Sequence, residues 1–288
     1  MQCDCAIFAQ VITADVMADV CDVLLFGTMG LTGPVVRDAI AGRGLDVRLA
    51  GFPQNTFRDE PGYRRELLKS VASCRPRMIL PIGCQLALAR LKGSLPPDIV
   101  IPVDTAEKIA MLDSKVECSR LAAELGIRQP RMFTGADDVT DYPVIFKREK
   151  SFGGSGVYRP KSREALQSLM EHEPGNRYLI EELIDGDDYS VDAFRWDGVF
   201  KAGCYKSLSN RGQGPATARQ SVSFPELCQI SSTILDHIDY HGVCGMDFRV
   251  DKAGGIFFLE CNPRFTGGIA TQLEAGLDIP ALYCGLLG

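Results

Sequence analysis

The sequence has no apolar run long enough for a membrane-spanning helix, and no basic segment precedes an apolar stretch near its N-terminus. Neither a membrane span nor a secretory signal is therefore predicted. It also lacks a block of lysine and arginine with interleaved aromatic residues, and its formal net charge is −6, so nucleic acid is not expected as a partner. The scattered basic residues still permit local binding of anions.

Patterns typical of zinc sites are missing as well. Only three histidines occur, none is spaced near a cysteine as a zinc ligand would be, and no Cys-x-x-Cys is present. The eleven cysteines are dispersed, with Cys3 and Cys5 as the only close pair, and their odd number argues against complete disulfide pairing. We interpret the thiols as reduced and mostly structural, which predicts a cytoplasmic protein.

What is present indicates a globular α/β protein. A hydrophobic fraction of 45% with 24% charged residues is ordinary for a soluble protein, and 288 residues suit two modest domains. From Cys21 onward, strand-like runs alternate with helical stretches, which predicts a parallel sheet with helices on both faces. The predicted strands are 22–26, 45–50, 78–82 and 99–101, and the predicted helices are 34–41, 63–72 and 85–91.

The spacing Gly27-x-x-Gly30-x-x-Gly33 after the first strand raises the question of dinucleotide binding, because such a turn presents backbone N–H groups at a helix N-terminus. The spacing is not Gly-x-Gly-x-x-Gly, and the second strand ends without an acidic residue for a ribose hydroxyl. We favour a structural tight turn over NAD or FAD binding.

A hairpin near the C-terminus carries the most informative side chains. Two β-rich runs flank a polar, glycine-rich turn. Pairing Asp251 with Ile256 places Asp247 opposite Glu260, and Asn262 shares the face of Glu260 because strand side chains alternate. Two carboxylates and an amide oxygen on one face are costly to bury without a cation. These hard donors favour Mg²⁺ or Mn²⁺ over zinc.

Arg264 follows on the same face and could reach an anion held there. The alternative is a solvated sheet face with a salt bridge between Glu260 and either Arg249 or Arg264, and the hairpin alone does not decide between the two interpretations.

Three further stretches stand out between the parallel sheet and the hairpin. The amphipathic region 104–126 is predicted to be helical, with a break that carries one exposed lysine, Lys115. A strand ending in Lys147 leads into the glycine-rich loop 151–157, whose backbone could approach a polyphosphate, although a flexible hairpin tip is the usual alternative. The order of a P-loop is missing.

The strand containing Glu181 and Glu182 is acidic within an apolar run. It indicates either hydrogen bonding to a base amine and ribose hydroxyls or an edge strand with exposed charges. The segment 207–221, with Arg211 and Arg219, is predicted to be polar and flexible, and a loop of that length is often functional. The helices predicted around it are 162–171, 224–241 and 269–275.

The order of these pieces resembles the ATP-grasp superfamily, and most closely its branch related to carbamoyl-phosphate synthetase and biotin carboxylase. The resemblance covers roughly residues 104–288. It implies an ATP-grasp fold, α/β overall and α+β in its C-terminal part: a Rossmann-like parallel-sheet domain over 1–103, and an ATP-grasp domain over 104–288. The latter would contain a small lid subdomain at about 131–181 and an antiparallel-sheet catalytic region.

The resemblance also implies residue roles. Lys115 and Lys147 would reach ATP phosphates, the loop would fold over them, and Glu181 would accept from the adenine amine. Asp188 stands where the family often has a glutamate for ribose, and Arg148 replaces a common proline. The implied ATP-binding residues are Lys115, Lys147, Gly153, Gly154, Ser155, Gly156, Glu181, Glu182, Leu183, Ile184 and Asp188. The metal ligands for two Mg²⁺ or Mn²⁺ ions are Asp247, Glu260 and Asn262, the catalytic residues are Arg264, Lys147 and Asn262, and the substrate-binding residues are Arg211, Arg219 and Arg264.

The activity that the resemblance implies is ATP-dependent ligation of a small-molecule carboxylate to an amine, with amino acids as the expected substrates. An acylphosphate would be the intermediate, and ADP and phosphate would be released. Two alternatives remain: a carboxylase or carbamoyl-phosphate-type enzyme that phosphorylates bicarbonate, and a non-catalytic ATP-binding module. Homodimers are common in the family, although no residue pattern here indicates one.

Overall fold

The computed structural model describes residues 20–53, 60–149, 156–173, 175, 178–209 and 218–288. The chain divides into two compact units: one comprises the residues up to Ala106 together with Asp278–Gly288, and the other is Glu107–Leu277. The sequence-based boundaries instead assigned all residues after 103 to one domain. The glycine-loop residues Gly153, Gly154 and Ser155, and the loop residue Arg211, lie outside the described residues.

The first unit contains a parallel three-stranded sheet in the order β2-β1-β3. Its strands are β1 (Val23–Met29), β2 (Val47–Pro53) and β3 (Met78–Ile82), and its first three helices are α1 (Thr32–Ala41), α2 (Glu60–Cys74) and α3 (Gln85–Leu91). The predicted strand 99–101 is wrong, because that segment makes only a single bridge between Val100 and Met78. Gly27 belongs to β1, and a side chain there would collide with the carbonyl of Ile82.

A short C-terminal helix, α9 (Ile279–Cys284), completes the first unit and was not predicted. Asp278 caps it by accepting a hydrogen bond from the Ala281 N–H at 2.8 Å. The second carboxylate oxygen of Asp278 accepts from Arg43, which follows α1, at 2.5 Å. These contacts and the burial of Ile279 fasten the C-terminal segment to the first unit.

The second unit contains two antiparallel sheets. The smaller has the order β4-β7-β5-β6, and helix α6 (Arg163–Glu171) packs on it through Leu166 against Val144, Phe146 and Ile180. Its strands are β4 (Met132–Phe133), β5 (Val144–Arg148), β6 (Val157–Tyr158) and β7 (Tyr178–Glu182). Because β7 lies between two partners, the alternative of an exposed edge strand for Glu181 and Glu182 is wrong.

The larger sheet has the order β10-β9-β8-β11-β12. Its strands are β8 (Gly186–Trp196), β9 (Val199–Ser209), β10 (Ala218–Val222), β11 (Gly242–Asp251) and β12 (Ile256–Asn262), and the remaining helices are α4 (Ala106–Asp113), α5 (Lys115–Glu124), α7 (Pro225–His237) and α8 (Ile269–Glu274). The predicted flexible segment 207–221 therefore includes the end of β9 and all of β10 except Val222. The predicted helix break near Ser114 is confirmed, since α4 ends at Asp113 and α5 begins at Lys115.

The β11–β12 hairpin pairs Asp247 with Glu260, as the sequence predicts, but through a different register. Ile256 pairs with Val250 and not with Asp251, and a β-bulge at Leu259 restores the expected pair. The glycine-rich turn allows the chain to reverse direction. The bulge at Leu259 determines that Asp247 is paired with Glu260. No helix in the described ranges is long and apolar enough to cross a membrane.

Candidate active site

A nearly buried ion pair lies within the smaller sheet of the second unit. Lys147 at the end of β5 lies 2.8 Å from a carboxylate oxygen of Glu181 on β7, and both side chains are under a tenth exposed. The Lys147 ammonium also donates to the carbonyl of Leu259, the bulged residue of β12, at 3.4 Å. The bulge thus links the lysine to the strand that carries Glu260.

Burial raises the pKa of Glu181, and Lys147 opposes that shift by stabilising the charged form. The negative charge of Glu260 raises it further, while Lys115 lowers it. Four charged side chains, two lysines and two glutamates, therefore influence one another within one region of the second unit.

Lys115 is the second cation of this region. It is the first residue of α5 and lies 3.4 Å from Glu260, with 7% of its side chain exposed. The expectation that Lys115 is exposed is wrong, because the helix start presents it to the hairpin. Ser114 caps α5 by accepting from the Glu117 N–H at 3.3 Å, and its hydroxyl donates to Glu149 at 3.0 Å.

The hairpin brings together the three oxygen-donor residues that the sequence predicts. The Asn262 amide nitrogen donates to Asp247 at 3.2 Å and to Glu260 at 3.5 Å. The other oxygen of Asp247 accepts from the hydroxyl of Ser190 on β8, at 2.6 Å. Ser190 was not predicted, although it faces Asp247 directly across the β8–β11 ladder.

Burial and the neighbouring negative charge of Glu260 raise the pKa of Asp247 to about 7, against the effect of the Ser190 hydrogen bond. A cation between these carboxylates would relieve both effects, and two carboxylates with an amide are the hard donors that Mg²⁺ accepts. The described residues hold no group of three or more His, Cys, Asp or Glu side chains that could bind a metal. By the chemistry of its oxygen donors, the set of Asp247, Glu260 and Asn262 fits a hard divalent cation and not zinc.

The salt bridges of the solvated-face alternative do not form in the structure. Glu260 pairs with Lys115, Arg249 pairs with Asp188 at 2.9 Å, and Arg264 lies 3.6 Å from Asp113 at the end of α4. Arg264 is thus held beside the segment that leads into Lys115, with its backbone N–H donating to the Asn262 carbonyl at 2.7 Å.

The predicted nucleotide-binding residues fall on β7, on the segment after it, and on β8. The Glu182 N–H donates to the carbonyl of Arg131, the residue before β4, at 2.9 Å, and the Glu182 carboxylate accepts from the Arg131 N–H at 3.0 Å. Leu183 and Ile184 are half-buried between β7 and β8. Asp188 is engaged by Arg249, and Gly156, at a φ of +76°, closes the β5–β6 hairpin.

A polar cluster next to Asp247 was missed by sequence reasoning. Asp192 on β8 is 2% exposed and accepts from the Thr266 hydroxyl at 2.7 Å. Tyr205 on β9 contacts Thr266 at 3.3 Å, and Arg219 on β10 lies 5.6 Å from the Tyr205 ring centroid. The detectable signal was the alternation of Asp188, Ser190 and Asp192 along β8.

Burial raises the pKa of Asp192 to about 6, and the Thr266 hydrogen bond and the charge of Arg219 oppose that shift. Burial also raises the pKa of Tyr205, with the charges of Asp192 and Asp247 adding to it, so its phenol stays protonated. Of the three arginines predicted to bind substrate, Arg219 lies near Asp192 and Arg264 lies beside Asp113. Arg211 lies outside the described residues.

Comparison with known proteins finds related sequences and structures. A protein-family profile described as "ATP-grasp in the biosynthetic pathway with Ter operon" matches residues 175–287. The carbamoyl phosphate synthase large chain of Thermoanaerobacter sp. (strain X514) is 22% identical over 220 residues, 69% of this chain and 20% of that protein. The D-alanine–D-alanine ligase of Aquifex aeolicus (strain VF5) is 26% identical over 181 residues, 55% of this chain and 60% of the ligase.

Among solved structures, the biotin carboxylase domain of the Hydrogenobacter thermophilus 2-oxoglutarate carboxylase, in complex with MgADP, ADP and bicarbonate, has a TM-score of 0.69. It is 18% identical, and the match covers 91% of this chain and 68% of that chain. With its mixed parallel and antiparallel sheets, the chain has the predicted fold class, and the profile match and the sequence relatives indicate the ATP-grasp superfamily. It spans about a fifth of the length of the carbamoyl phosphate synthase large chains that it matches.

Proposed function

We propose that this chain is an ATP-dependent ligase that joins a small-molecule carboxylate to an amine and releases ADP and phosphate. The observation that carries the proposal is the convergence of two buried lysines on the β11–β12 hairpin, Lys115 on the Glu260 carboxylate and Lys147 on the Leu259 carbonyl, within an ATP-grasp fold. Lys115 and Lys147 are held by acidic partners, and they can exchange those partners for phosphate oxygens when nucleotide binds.

The nucleotide would lie with its adenine near Glu181 and the segment Glu182–Ile184 and with its phosphates near the two lysines. Glu181 is an acceptor at the end of a strand, which suits the adenine amine, and it also orients the Lys147 ammonium at 2.8 Å. Asp188 would have to share its carboxylate between Arg249 and a ribose hydroxyl. The loop 151–156 is proposed to cover the phosphates.

Asp247, Glu260 and Asn262 are proposed to hold Mg²⁺, with Asn262 using its amide oxygen; this requires the amide to rotate, since its nitrogen faces both carboxylates in the structure. The cation would offset negative charge on the ATP phosphates. Ser190 keeps one oxygen of Asp247 oriented through its hydrogen bond, and Lys115 limits the excess negative charge at Glu260.

In the proposed reaction, a carboxylate oxygen of the acid substrate forms a bond to the γ-phosphorus while the bond from phosphorus to ADP breaks. The nitrogen of the neutral amine then forms a bond to the acyl carbon, the carbon–oxygen bond to phosphate breaks, and the proton that the nitrogen loses leaves with the phosphate as hydrogen phosphate. Lys147 and Arg264 would stabilise negative charge on the phosphoryl group, which is the main requirement of phosphoryl transfer. Exclusion of water would protect the acylphosphate from hydrolysis.

The matched D-alanine–D-alanine ligase supports amino acids as substrates. Phosphorylation of bicarbonate is the second candidate, since the matched biotin carboxylase domain was solved with bicarbonate. A binding module without catalysis is less favoured, because such a protein does not need two lysines and three oxygen-donor residues at one site.

The test is release of ADP and phosphate from Mg²⁺-ATP with amino acids, supplied singly and in pairs, with and without bicarbonate. Release that requires a particular pair supports the ligase. Release with bicarbonate alone would establish the second candidate instead. If ATP raises the melting temperature but nothing in the panel is turned over, the ligase proposal fails for amino acid substrates.

A further inference from the structure

Asp192 has one carboxylate oxygen engaged and one unengaged. Its Oδ1 accepts from Thr266 at 2.7 Å, which fixes the plane of the carboxylate. Its Oδ2 is buried and has no hydrogen-bond partner in the described part of the protein. A buried oxygen without a donor loses hydration that nothing replaces, so such an atom in a native fold calls for an explanation.

Gln272 on α8 repeats the same arrangement. Its side chain is 1% exposed, and its amide nitrogen donates to the Gly203 carbonyl at 2.8 Å. The amide oxygen, Oε1, is buried and again lacks a partner among the described residues. In both side chains, one polar atom is hydrogen-bonded to the protein and thereby fixes the orientation of an oxygen that has no donor.

The β-ladders place the two acceptors side by side. Asp192 pairs with Gly203 on β9 and with Gly245 on β11. A Cβ on Gly203 would collide with Oε1 of Gln272, and a Cβ on Gly245 would collide with the methyl group of Thr266. Because Gly203 and Gly245 have no side chains, Gln272 and Thr266 can pack beside Asp192.

This row of the sheet is next to the proposed metal-binding row. Residues two apart along a strand face the same way, so Asp192 and Gly245 share the face of Ser190 and Asp247. The two acceptors consequently lie on the face of the sheet where phosphoryl transfer is proposed. The pair Asp192–Gly245 is the next pair on that face after Ser190–Asp247.

We propose that Asp192 and Gln272 form the subsite for the amine substrate and that they select a primary amine, which supplies N–H donors to both oxygens and a positive charge to the carboxylate. The inference rests on the proposed ligase function and names the chemical class of its second substrate. Because both oxygens are closed to water, entry of the amine requires movement of the turn at Thr266, whose hydroxyl bonds to Asp192, to Tyr205 and to the Gly268 N–H. Arg219 is the competing cation near Asp192.

The test compares glycinamide with propionamide, which has the same shape but no amine, at equal ionic strength and in the presence of Mg²⁺ and a non-hydrolysable ATP analogue. Glycinamide should raise the melting temperature of the wild-type protein, and propionamide should not. Asp192→Asn keeps an acceptor for Thr266 but loses the charge, so the affinity for glycinamide should fall about tenfold to a hundredfold. Gln272→Met, which removes Oε1, should also weaken it.

Glu274→Gln is the matched control, because it removes one negative charge from an exposed position of the same helix. It should leave the glycinamide response unchanged. The inference is overturned if wild-type protein does not distinguish the two amides, or if Asp192→Asn responds like wild type, which would assign the response to other groups.

A kinetic readout separates this inference from the proposed function. With a productive pair of substrates, Asp192→Asn should raise the KM for the amine and leave the KM for ATP unchanged. An equal rise in both KM values would contradict an amine subsite. Selective binding of glycinamide without any ADP release would instead refute the ligase and retain the subsite.

Discussion

Lys147 and Glu181 form a nearly buried ion pair, so removing the lysine should affect both stability and activity. Lys147→Met leaves a buried carboxylate without its cation, which typically costs about 3–5 kcal/mol of unfolding free energy. Burial already raises the pKa of Glu181, and a carboxyl group that binds its proton more tightly in the folded state loses stability as pH rises. Urea unfolding should therefore show a larger loss at pH 8 than at pH 5.

Lys252→Met is the control for that measurement, since Lys252 pairs with Asp185 at 2.5 Å with both side chains about four-fifths exposed. An exposed pair contributes about 0–1 kcal/mol, so this variant should unfold like the wild type. Equal losses in the two variants would contradict the buried role of Lys147. Loss of ADP release is expected in Lys147→Met alone.

Asp247 makes the proposed Mg²⁺ site dependent on pH. Burial and Glu260 raise its pKa to about 7, so the fraction of carboxylate ready to bind a cation increases as pH rises from 6 to 8. Without metal, the same shift makes charged Asp247 unfavourable, and the melting temperature in EDTA should fall over that range. Mg²⁺ should raise the melting temperature more at pH 8 than at pH 6. Asp247→Asn should make the effect of Mg²⁺ the same at both pH values. A metal effect independent of pH would argue against Asp247 as a ligand.

Side-chain alternation predicts the hairpin residues from the sequence, because any regular pairing that sets Asp247 opposite Glu260 also brings Asn262 to the same face. The alternation along β8 marks Asp192, but its proximity to Gln272 could not be found in this way. They approach each other only through pairing of β8 with β9 and packing of α8, contacts that span many residues of sequence. The burial of Lys115 was missed for the same reason, since it depends on the distant Glu260.

At the scale of elements, the start of α5 positions Lys115. Ser114→Ala removes the cap that accepts from Glu117 and should cost about 1 kcal/mol of stability. Because the capped turn carries Lys115, the KM for ATP should rise as well. Ser162→Ala is the matched variant: Ser162 caps α6 at the same 3.3 Å but lies outside the proposed site.

The two cap variants should have similar melting temperatures and different KM values for ATP. If Ser162→Ala raised the KM for ATP as much as Ser114→Ala, the effect would reflect general loosening of the unit and not the placement of Lys115. Ser114→Thr should retain the melting temperature and the KM for ATP of the wild type, since threonine is also an effective cap.

The bulge at Leu259 shows where element-level prediction from sequence ends. Hydrophobic alternation and the turn residues predict the hairpin, but no residue in it signals that one position is skipped. The bulge is stabilised from outside the hairpin, by Lys147 donating to the Leu259 carbonyl. Likewise, the segment 99–101 has the composition of a strand. It forms only one bridge, between Val100 and Met78, because it has no continuous pairing with a neighbouring strand.

For the whole molecule, the order of motifs along the chain was sufficient to predict the superfamily and the fold class, because a fold fixes the sequence of its elements even where identity is low. The partner of the C-terminal segment was not predicted. Asp278 followed by Pro280 is a helix-start signal that could have revealed α9. Its membership of the first unit could not be read locally, since Arg43 lies more than two hundred residues away.

Deletion of residues 278–288 should therefore destabilise the first unit and not the second, although the segment follows the second unit in sequence. Hydrogen exchange should accelerate in β1 and β3, which pair directly, and remain unchanged in β8 and β11. The buried side chains of Ile279 and Tyr283 supply the lost contacts. Acceleration confined to β8 and β11 would contradict this assignment of the segment.

The most direct test of the proposed ligase uses a carboxylate substrate labelled with ¹⁸O, once a productive pair is known. Formation of an acylphosphate followed by attack of the amine on carbon leaves one carboxylate oxygen in the released phosphate. Mass spectrometry should therefore find one ¹⁸O per phosphate, in step with amide formation. Phosphate that carries oxygen from water and none from the acid would show that ATP is hydrolysed without activation of the carboxylate, and would contradict the ligase.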